Sequence, residues 1–91
     1  MLDNLISTGK SFKDKFTEEY SFGIEFGINE SLSSEYLQWL AKVGAYSEGK
    51  LRVKYPGMTK QILSYIQSQA KTLNEYNIIF GFLESVKELE K

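Results

Sequence analysis

The chain has 91 residues, and its composition, 42% hydrophobic and 25% charged, is that of a globular domain with enough chain for one hydrophobic core. It contains neither cysteine nor histidine, which excludes disulfide scaffolds, thiol nucleophiles, histidine-based catalytic triads and metal sites built from these two ligands. The net charge is only −1, from 11 basic and 12 acidic residues. We expect a single helical domain over residues 1–91, without a metal or a cofactor.

Apolar residues at helical spacing predict an N-terminal helix over residues 2–20. Charged residues fall off this apolar face, as they do on a surface helix that packs against a core. Gly9 interrupts the pattern and costs about 1 kcal/mol relative to alanine inside a helix, so we expect the first turns to be loose. The predicted apolar face consists of Leu2, Leu5, Ile6, Phe12, Phe16 and Tyr20.

The segment 21–28 carries the patterns of two kinds of secondary structure. Apolar residues from Phe22 to Ile28 alternate with glycine and polar residues, which is the period of a strand. Apolar residues at intervals of four, from Phe16 to Ile28, also fit one side of a helix. We favour a strand or extended segment over 21–28, because aromatic and β-branched residues favour strands. A helix is the alternative.

A second helix, over residues 32–47, has the clearest pattern in the chain. Asn29 and two nearby serines can each cap its start, and Gly49 lies where a left-handed C-terminal cap is expected. Trp39 falls in the middle of the apolar stripe, which indicates a core residue rather than an exposed interface anchor. The stripe consists of Leu32, Tyr36, Trp39, Leu40 and Val43.

Residues 50–55 alternate basic and apolar side chains in the order Lys-Leu-Arg-Val-Lys-Tyr. This is the period of a half-buried strand with Leu51, Val53 and Tyr55 facing inward. The Pro-Gly pair that follows predicts a turn, because proline has no amide hydrogen for a ladder. We predict a short extended segment over 50–55, either a strand or an extended loop between helices.

The last third of the chain is helical in pattern, with one expected break. Thr59 predicts the N-cap of a third helix. Near Thr72 the sequence Thr-Leu-Asn-Glu fits a capping box, in which the Glu75 side chain returns to the Thr72 amide. We therefore predict two helices with a break near Thr72, and one continuous helix over 59–90 is the alternative.

The segment from residue 73 onward carries two adjacent apolar stripes, which is more apolar surface than one small core needs. A second copy of the chain in an isologous dimer is the commonest way to cover such a surplus. We predict that the second stripe is a self-association surface, formed by Ile79, Phe82, Val86 and Leu89.

Basic residues concentrate in the middle of the chain. Residues 42–60 carry five basic side chains against Glu48 alone, whereas the segments before and after them are net acidic. A basic region attracts an anionic partner, and connecting segments carry function more often than the elements they join. We predict that this region contacts the acidic surface of a protein partner through Tyr46, Lys50, Arg52, Lys54, Tyr55 and Lys60.

The carboxylates offer a poor basis for an enzyme. The adjacent Glu18 and Glu19 point in different directions on a helix, so they cannot form a dyad. Glu84 and Glu88 share a face, but they lie among lysines near the C-terminus, as on a solvated helix end. The sequence has no calcium-loop or phosphate-loop pattern. We expect no enzymatic activity.

Nucleic-acid binding by residues 50–60 is the alternative function. On an extended segment Lys50, Arg52 and Lys54 would project to one face beside Tyr55. Cations beside an aromatic ring can contact phosphates and stack on bases. The sequence pI of about 5.4 is an argument against this function, because dedicated nucleic-acid binders have basic domains.

These features favour a non-enzymatic regulatory or inhibitory protein that acts as a homodimer by binding a protein partner. Its size and composition fit many small regulators and inhibitors carried by phages or plasmids. No apolar run approaches the length of a membrane span, and the N-terminal residues lack the apolar core of a signal peptide. We therefore expect a cytoplasmic protein that does not act at a membrane.

Overall fold

The computed structural model describes residues 1–20, 25–69 and 71–90. Within them the chain is mainly helical, as the sequence predicts, with four α-helices and a two-stranded antiparallel sheet. A 3₁₀ turn (Glu30–Leu32) precedes the second helix, and a π-helical turn (Ser47–Leu51) follows it. In chain order the helices and strands are α1 (Leu2–Lys10), β1 (Glu18–Tyr20), β2 (Glu25–Gly27), α2 (Ser33–Tyr46), α3 (Pro56–Gln67) and α4 (Leu73–Leu89).

The helix predicted over residues 2–20 is wrong beyond Lys10, where α1 ends. The backbone tightens there into hydrogen bonds between residues three apart, and the Ser11 hydroxyl donates to the Thr8 carbonyl at 2.6 Å. Serine side chains compete for backbone groups in this way, which is why they favour helix ends over helix interiors. Phe12 and Phe16 keep a helical spacing but reach the core from the loop after α1, and residues 18–20 of the predicted helix form strand β1 instead.

Five aromatic rings form the centre of the core, and we call them the aromatic cluster. The rings of Phe12 and Tyr36 meet edge to face with 5.2 Å between their centroids, an arrangement that aromatic pairs prefer. Trp39 is 1% exposed, which confirms its predicted place in the core. The aromatic cluster consists of Phe12, Phe16, Tyr36, Trp39 and Tyr76.

The two strands form a hairpin that is attached to the start of α4. Glu18 of β1 lies opposite Gly27 of β2. Directly after β2, the amide of Ile28 donates to the carbonyl of Lys71 at 2.9 Å. Of the extended segment predicted over 21–28, residues 25–27 form a strand, and residues 21–24 lie outside the described residues.

The second helix occupies nearly the predicted range. Asn29 caps the 3₁₀ turn that leads into α2, since its Oδ1 accepts a hydrogen bond of 3.0 Å from the Ser31 amide. Leu32 is half-buried. The other four residues of the predicted stripe are buried, namely Tyr36, Trp39, Leu40 and Val43.

The predicted break near Thr72 is confirmed, because α3 ends at Gln67 and α4 begins at Leu73. Thr72 is the N-cap of α4 and has an extended backbone, with φ −89° and ψ 157°. Its hydroxyl donates to the Glu75 carboxylate. This side-chain bond takes the place of the reciprocal capping box that the sequence predicts.

The extended segment predicted over residues 50–55 is wrong. Leu51 ends the π-helical turn, residues 52–54 form a turn, and α3 begins at Pro56. Proline is favoured at the first helical position, because the amide there has no partner within the helix and the fixed φ angle suits a helix. The Pro-Gly pair therefore starts a helix instead of ending a strand.

The apolar residues of this segment belong to a helical row with a spacing of four. The Tyr55 amide donates to the Leu51 carbonyl at 2.7 Å, and the Thr59 amide donates to the Tyr55 carbonyl at 2.9 Å. Leu51 and Thr59 are buried, whereas Val53, predicted to face inward, is exposed. Thr59 consequently lies inside α3, and Tyr55 is the residue that precedes its first turn.

Both apolar stripes of α4 serve the chain's own core. This helix packs against α1, α3 and β2, so it buries more than one of its sides. Ile79, Phe82 and Val86 are buried, which removes them from the surface that the sequence predicts for self-association. Of that predicted surface, Leu89 alone is exposed.

Candidate functional site

The residues predicted to bind a partner lie around a corner between α2 and α3, formed by residues 47–55. The π-helical turn places Ser47 and Leu51 in the interior and leaves Gly49 and Lys50 outside. The buried leucine anchors the corner, so its outer residues are held on an ordered backbone. Short π segments next to α-helices frequently mark functional sites, which makes the corner the first candidate.

A groove runs along the outer face of α2 into the corner. Lys42, Tyr46 and Lys50 follow one another at intervals of four, so they lie along one side of the helical path. The groove has a volume of about 310 Å³. It is lined by Met1, Lys42, Ala45, Tyr46, Gly49 and Lys50, and two of the predicted partner-binding residues, Tyr46 and Lys50, therefore share one site.

Three other predicted residues are already engaged by carboxylates of the same chain. Arg52 pairs with Glu48, one helical turn earlier. The Nζ atom of Lys54 lies 2.6 Å from Oε2 of Glu90, and the Tyr55 hydroxyl donates to the same oxygen at 3.1 Å. Glu90 comes from the end of α4, so it connects the corner to the last helix.

The charges of this contact affect each other's titration. Hydrogen bonds from Lys54 and Tyr55 hold the pKa of Glu90 below its ordinary value. The same bond to Glu90 raises the pKa of Lys54. Partial burial, followed by the bond to Glu90, raises the pKa of Tyr55. At neutral pH the contact is therefore between a carboxylate and an ammonium group, with a neutral phenol beside them.

The beginning of α1 and the end of α4 meet at the same end of the molecule. Asp3 and Lys87 pair with 2.8 Å between Oδ1 and Nζ, and this pairing lowers the pKa of Asp3. All three ion pairs found among the described residues lie here or at the corner. Lys60 is exposed in the second turn of α3 and takes part in none of them.

The same end of the molecule carries the most exposed large apolar side chains of the described residues. Val53 is 97% exposed, Met1 73% and Leu89 69%. The exposure of Val53 and Met1 is not predicted from the sequence, and Leu89 belongs to a predicted stripe whose other members are buried. The exposure of Val53 could have been predicted from the sequence. A helical spacing that places Leu51 and Tyr55 on one side leaves Val53, midway between them, on the opposite side.

The arrangement at this end suits the binding of charged groups better than proton transfer. The carboxylates of Asp3 and Glu90 have lowered pKa values, whereas a general acid needs a raised one. Within the described part of the chain, no group of three or more potential ligands is placed to hold a metal ion. No helix in that part is both long and apolar enough to cross a bilayer.

The geometry behind the nucleic-acid alternative is absent. Lys50, Arg52 and Lys54 follow a π-helical turn and a tight turn, so they do not project as a row from an extended segment. The Tyr55 ring packs edge to face on Phe82 with 6.0 Å between centroids, which restricts its use as a stacking platform. Nucleic-acid binding itself stays an untested prediction.

The chain was compared with protein families, curated proteins and solved structures, and none of them matches it.

Proposed function

We propose that the chain is a non-enzymatic regulator or inhibitor that acts by binding an acidic surface of a protein partner. The binding surface is the groove beside α2 together with the adjoining corner. One observation supports this proposal above the others. Lys42 and Lys50 flank a groove that also contains Ala45 and Tyr46, and among the described residues neither lysine forms an ion pair.

The lysines of the groove differ from the other basic residues of this region in that they form no ion pair within the described residues. Arg52 and Lys54 each face a carboxylate of their own chain, so much of their charge is already balanced. Lys42 and Lys50 have no such partner within the described residues, and their field therefore extends into solvent. A field of this kind speeds the approach of an acidic partner and orients it.

The apolar part of the groove indicates a protein partner. Tyr46 is half-buried, and tyrosine supplies a large contact area at a small cost in conformational entropy. Val53, in the turn at the corner, is also an exposed apolar side chain. An acidic segment of a partner that also carries an apolar side chain would pair its carboxylates with the two lysines and place the apolar side chain in the groove.

The test is capture of the partner from an extract of the source cells at low salt. The informative variant reverses both groove lysines, Lys42→Glu with Lys50→Glu. The control, Lys13→Glu with Lys15→Glu, makes the same change in net charge at exposed positions in the loop after α1. We expect the groove variant to lose the proteins that the wild type retains, with association slowed by about tenfold or more, and the control to retain them.

Retention should weaken steeply as salt is raised, because exposed charges are screened within about 10 Å at 0.1 M salt. It should also survive nuclease treatment of the extract. Equal loss in the groove variant and in the control would show that net charge, and not this groove, governs binding. Loss of all captured material after nuclease treatment would favour the nucleic-acid alternative.

A further inference from the structure

A second depression lies beside the groove, between α1 and α2, and we call it the cleft. It has a volume of about 370 Å³. Buried Leu5 and Trp39 belong to its lining and make its floor apolar. Met1 and Lys42 line both the cleft and the groove, so the two adjoin and together form a channel along α2. The exposed rims of the cleft consist of Asn4, Thr8, Glu35, Gln38 and Lys42.

The channel follows α2 for about four helical turns. Its lining residues on this side recur every three or four positions from Glu35 to Lys50, which places them along one side of the helical path. A rise of about 1.5 Å per residue gives this row a length of about 22 Å. A partner segment of similar length would cover the whole channel.

The charges along the channel have a fixed order. Lys50 and Lys42 lie about two turns apart at the corner end, and Glu35 lies about two turns beyond Lys42. None of these three side chains forms an ion pair within the described residues. The opposite rim, on α1, contributes the uncharged side chains of Asn4 and Thr8. From the corner toward the start of α2, the channel therefore presents two positive charges and then one negative charge.

We propose that the channel binds an amphipathic α-helix of the protein partner, with acidic residues opposite Lys50 and Lys42 and a basic residue opposite Glu35. The proposal rests on the proposed function, and it adds the form and the direction of the bound segment. Apolar side chains between the charges of this helix pack against the floor of the channel. The macrodipole favours acidic residues near a helix N-terminus and basic residues near the C-terminus. A helix with this charge order therefore lies antiparallel to α2, with its N-terminus at the corner.

The walls of the channel favour a helix over an extended segment. Both walls are α-helices, and the backbone groups inside a helix bond to each other. An extended segment that binds by strand addition needs an exposed sheet edge to pair with its amides and carbonyls, and two helical walls offer none. A bound helix satisfies its own backbone groups, so it needs only side-chain contacts.

Titration of the full chain with a synthetic peptide tests this arrangement. The peptide is an alanine-based helix with two glutamates and then a lysine, each about two turns from the next, and with a leucine midway between successive charges. Fluorescence anisotropy of the labelled peptide at low salt measures its affinity. We expect a proline beside the first leucine to weaken binding by about tenfold or more, because proline inside a helix breaks it.

A charge swap at Glu35 tests the direction of the bound helix. The wild type should prefer the parent peptide to one with a third glutamate in place of the lysine. Glu35→Lys should reverse this preference, by about threefold or more in the ratio of affinities, because like charges then face each other. The control, Glu84→Lys, makes the same change in net charge at an exposed position of α4 outside the channel, and it should keep the wild-type preference.

Circular dichroism spectra confirm that each variant is folded before it is compared. A parent peptide that fails to bind at millimolar concentration would overturn the proposal. So would equal affinity for the proline peptide, or the same peptide preference in the Glu35 and Glu84 variants. Each of these results leaves the capture of an acidic partner through the groove lysines intact. Conversely, a partner captured from the extract in spite of the Lys42 and Lys50 substitutions would contradict the proposed function, whatever the peptide does.

Discussion

The hydroxyl of Tyr76 donates a hydrogen bond of 2.7 Å to the carbonyl of Gly9, a residue 67 positions earlier in the chain. Gly9 lies in the last turn of α1, and its carbonyl also accepts a hydrogen bond of 3.1 Å from the amide of Phe12. Trp39 makes a similar contact one turn earlier in the helix, where its Nε1 donates to the carbonyl of Leu5 at 2.8 Å. Two buried aromatic side chains therefore hold α1 against α2 and α4.

The close packing of side chains around position 9 explains why a glycine occupies it. A Cβ atom at position 9 would lie 2.6 Å from Cζ2 of Trp39 and 2.9 Å from Cδ1 of Phe80. The added methyl group of Gly9→Ala should cost about 1–3 kcal/mol, the usual cost of overpacking a core. The gain of about 1 kcal/mol from replacing glycine by alanine in a helix offsets part of this cost, so we expect a net loss of up to about 2 kcal/mol. The free energy of unfolding in urea measures the net effect.

Gly81→Ala is the matched control. Gly81 lies inside α4, and an added Cβ there would have no other atom within 4 Å. Helix propensity alone should decide the outcome, so we expect a gain of about 0.5–1 kcal/mol. If both alanine variants were stabilised, the tight packing of Gly9 against Trp39 would be refuted.

Two tyrosines of the aromatic cluster should respond in opposite ways to loss of their hydroxyl groups. Tyr76→Phe removes the bond to Gly9 and should cost about 0.5–1.5 kcal/mol. The hydroxyl of Tyr36 is buried and has no hydrogen-bond partner among the described residues. Tyr36→Phe should therefore be neutral or stabilising, because the desolvated hydroxyl is removed without the loss of a bond. Urea unfolding of both variants provides the comparison, and a greater loss for Tyr36→Phe would contradict it.

Alkaline pH should weaken the fold through the same two tyrosines. Burial raises the pKa of Tyr76 from 10.0 to about 12, and burial also raises the pKa of Tyr36. The folded chain holds these protons more tightly than the unfolded chain, so their contribution is complete below the unfolded pKa and is lost as pH rises through the folded pKa. For Tyr76 the loss is on the order of 2–3 kcal/mol, between about pH 10 and pH 12.

The slope of unfolding free energy against pH in this window gives the test. Tyr76→Phe should reduce the slope, and the double variant with Tyr36→Phe should reduce it further. Every other side chain is common to all three proteins, so the difference between slopes isolates the tyrosines. Identical slopes would show that neither phenol is shifted by its burial.

The sequence predicted those elements whose local pattern agrees with their tertiary role. The range of α2 and the core position of Trp39 follow from helical spacing, and the break at Thr72 follows from its capping residues. The left-handed cap predicted at Gly49 is wrong, because the chain continues through Gly49 as a π-helical turn. The end of α1 could not be predicted in this way. The apolar spacing continues to Phe16, and the loop that carries this ring into the aromatic cluster is set by contacts distant in sequence.

The candidate site shows the same limit. The net positive charge of residues 42–60 is visible in the sequence, and the partner-binding surface that it predicts there stays a prediction. The alternation in residues 50–55 predicts an extended segment, and this prediction is wrong. Leu51 and Tyr55 are four residues apart, so they fit a helical row as well as the alternation of a strand. The pairing of Lys54 with Glu90 joins residues 36 positions apart, and composition carries no signal for it.

Within the predicted self-association stripe, substitution with aspartate should strongly destabilise the fold at buried Phe82 and hardly affect it at exposed Leu89. Phe82 is 6% exposed and packs against Tyr55, so Phe82→Asp places an unpaired carboxylate in the core. We expect a loss of more than about 4 kcal/mol, which is a large part of the 5–15 kcal/mol that stabilises an ordinary domain.

Leu89→Asp should change the free energy of unfolding by no more than about 0.5 kcal/mol, because the side chain is mainly solvated. The change should be slightly destabilising, because a negative charge near a helix C-terminus interacts unfavourably with the helix macrodipole. Circular dichroism at a concentration where the chain is monomeric, combined with urea unfolding, distinguishes the two variants. If Phe82→Asp kept the helical spectrum and the wild-type unfolding midpoint, Phe82 would have to lie at the surface, and α4 would present its second stripe to solvent after all.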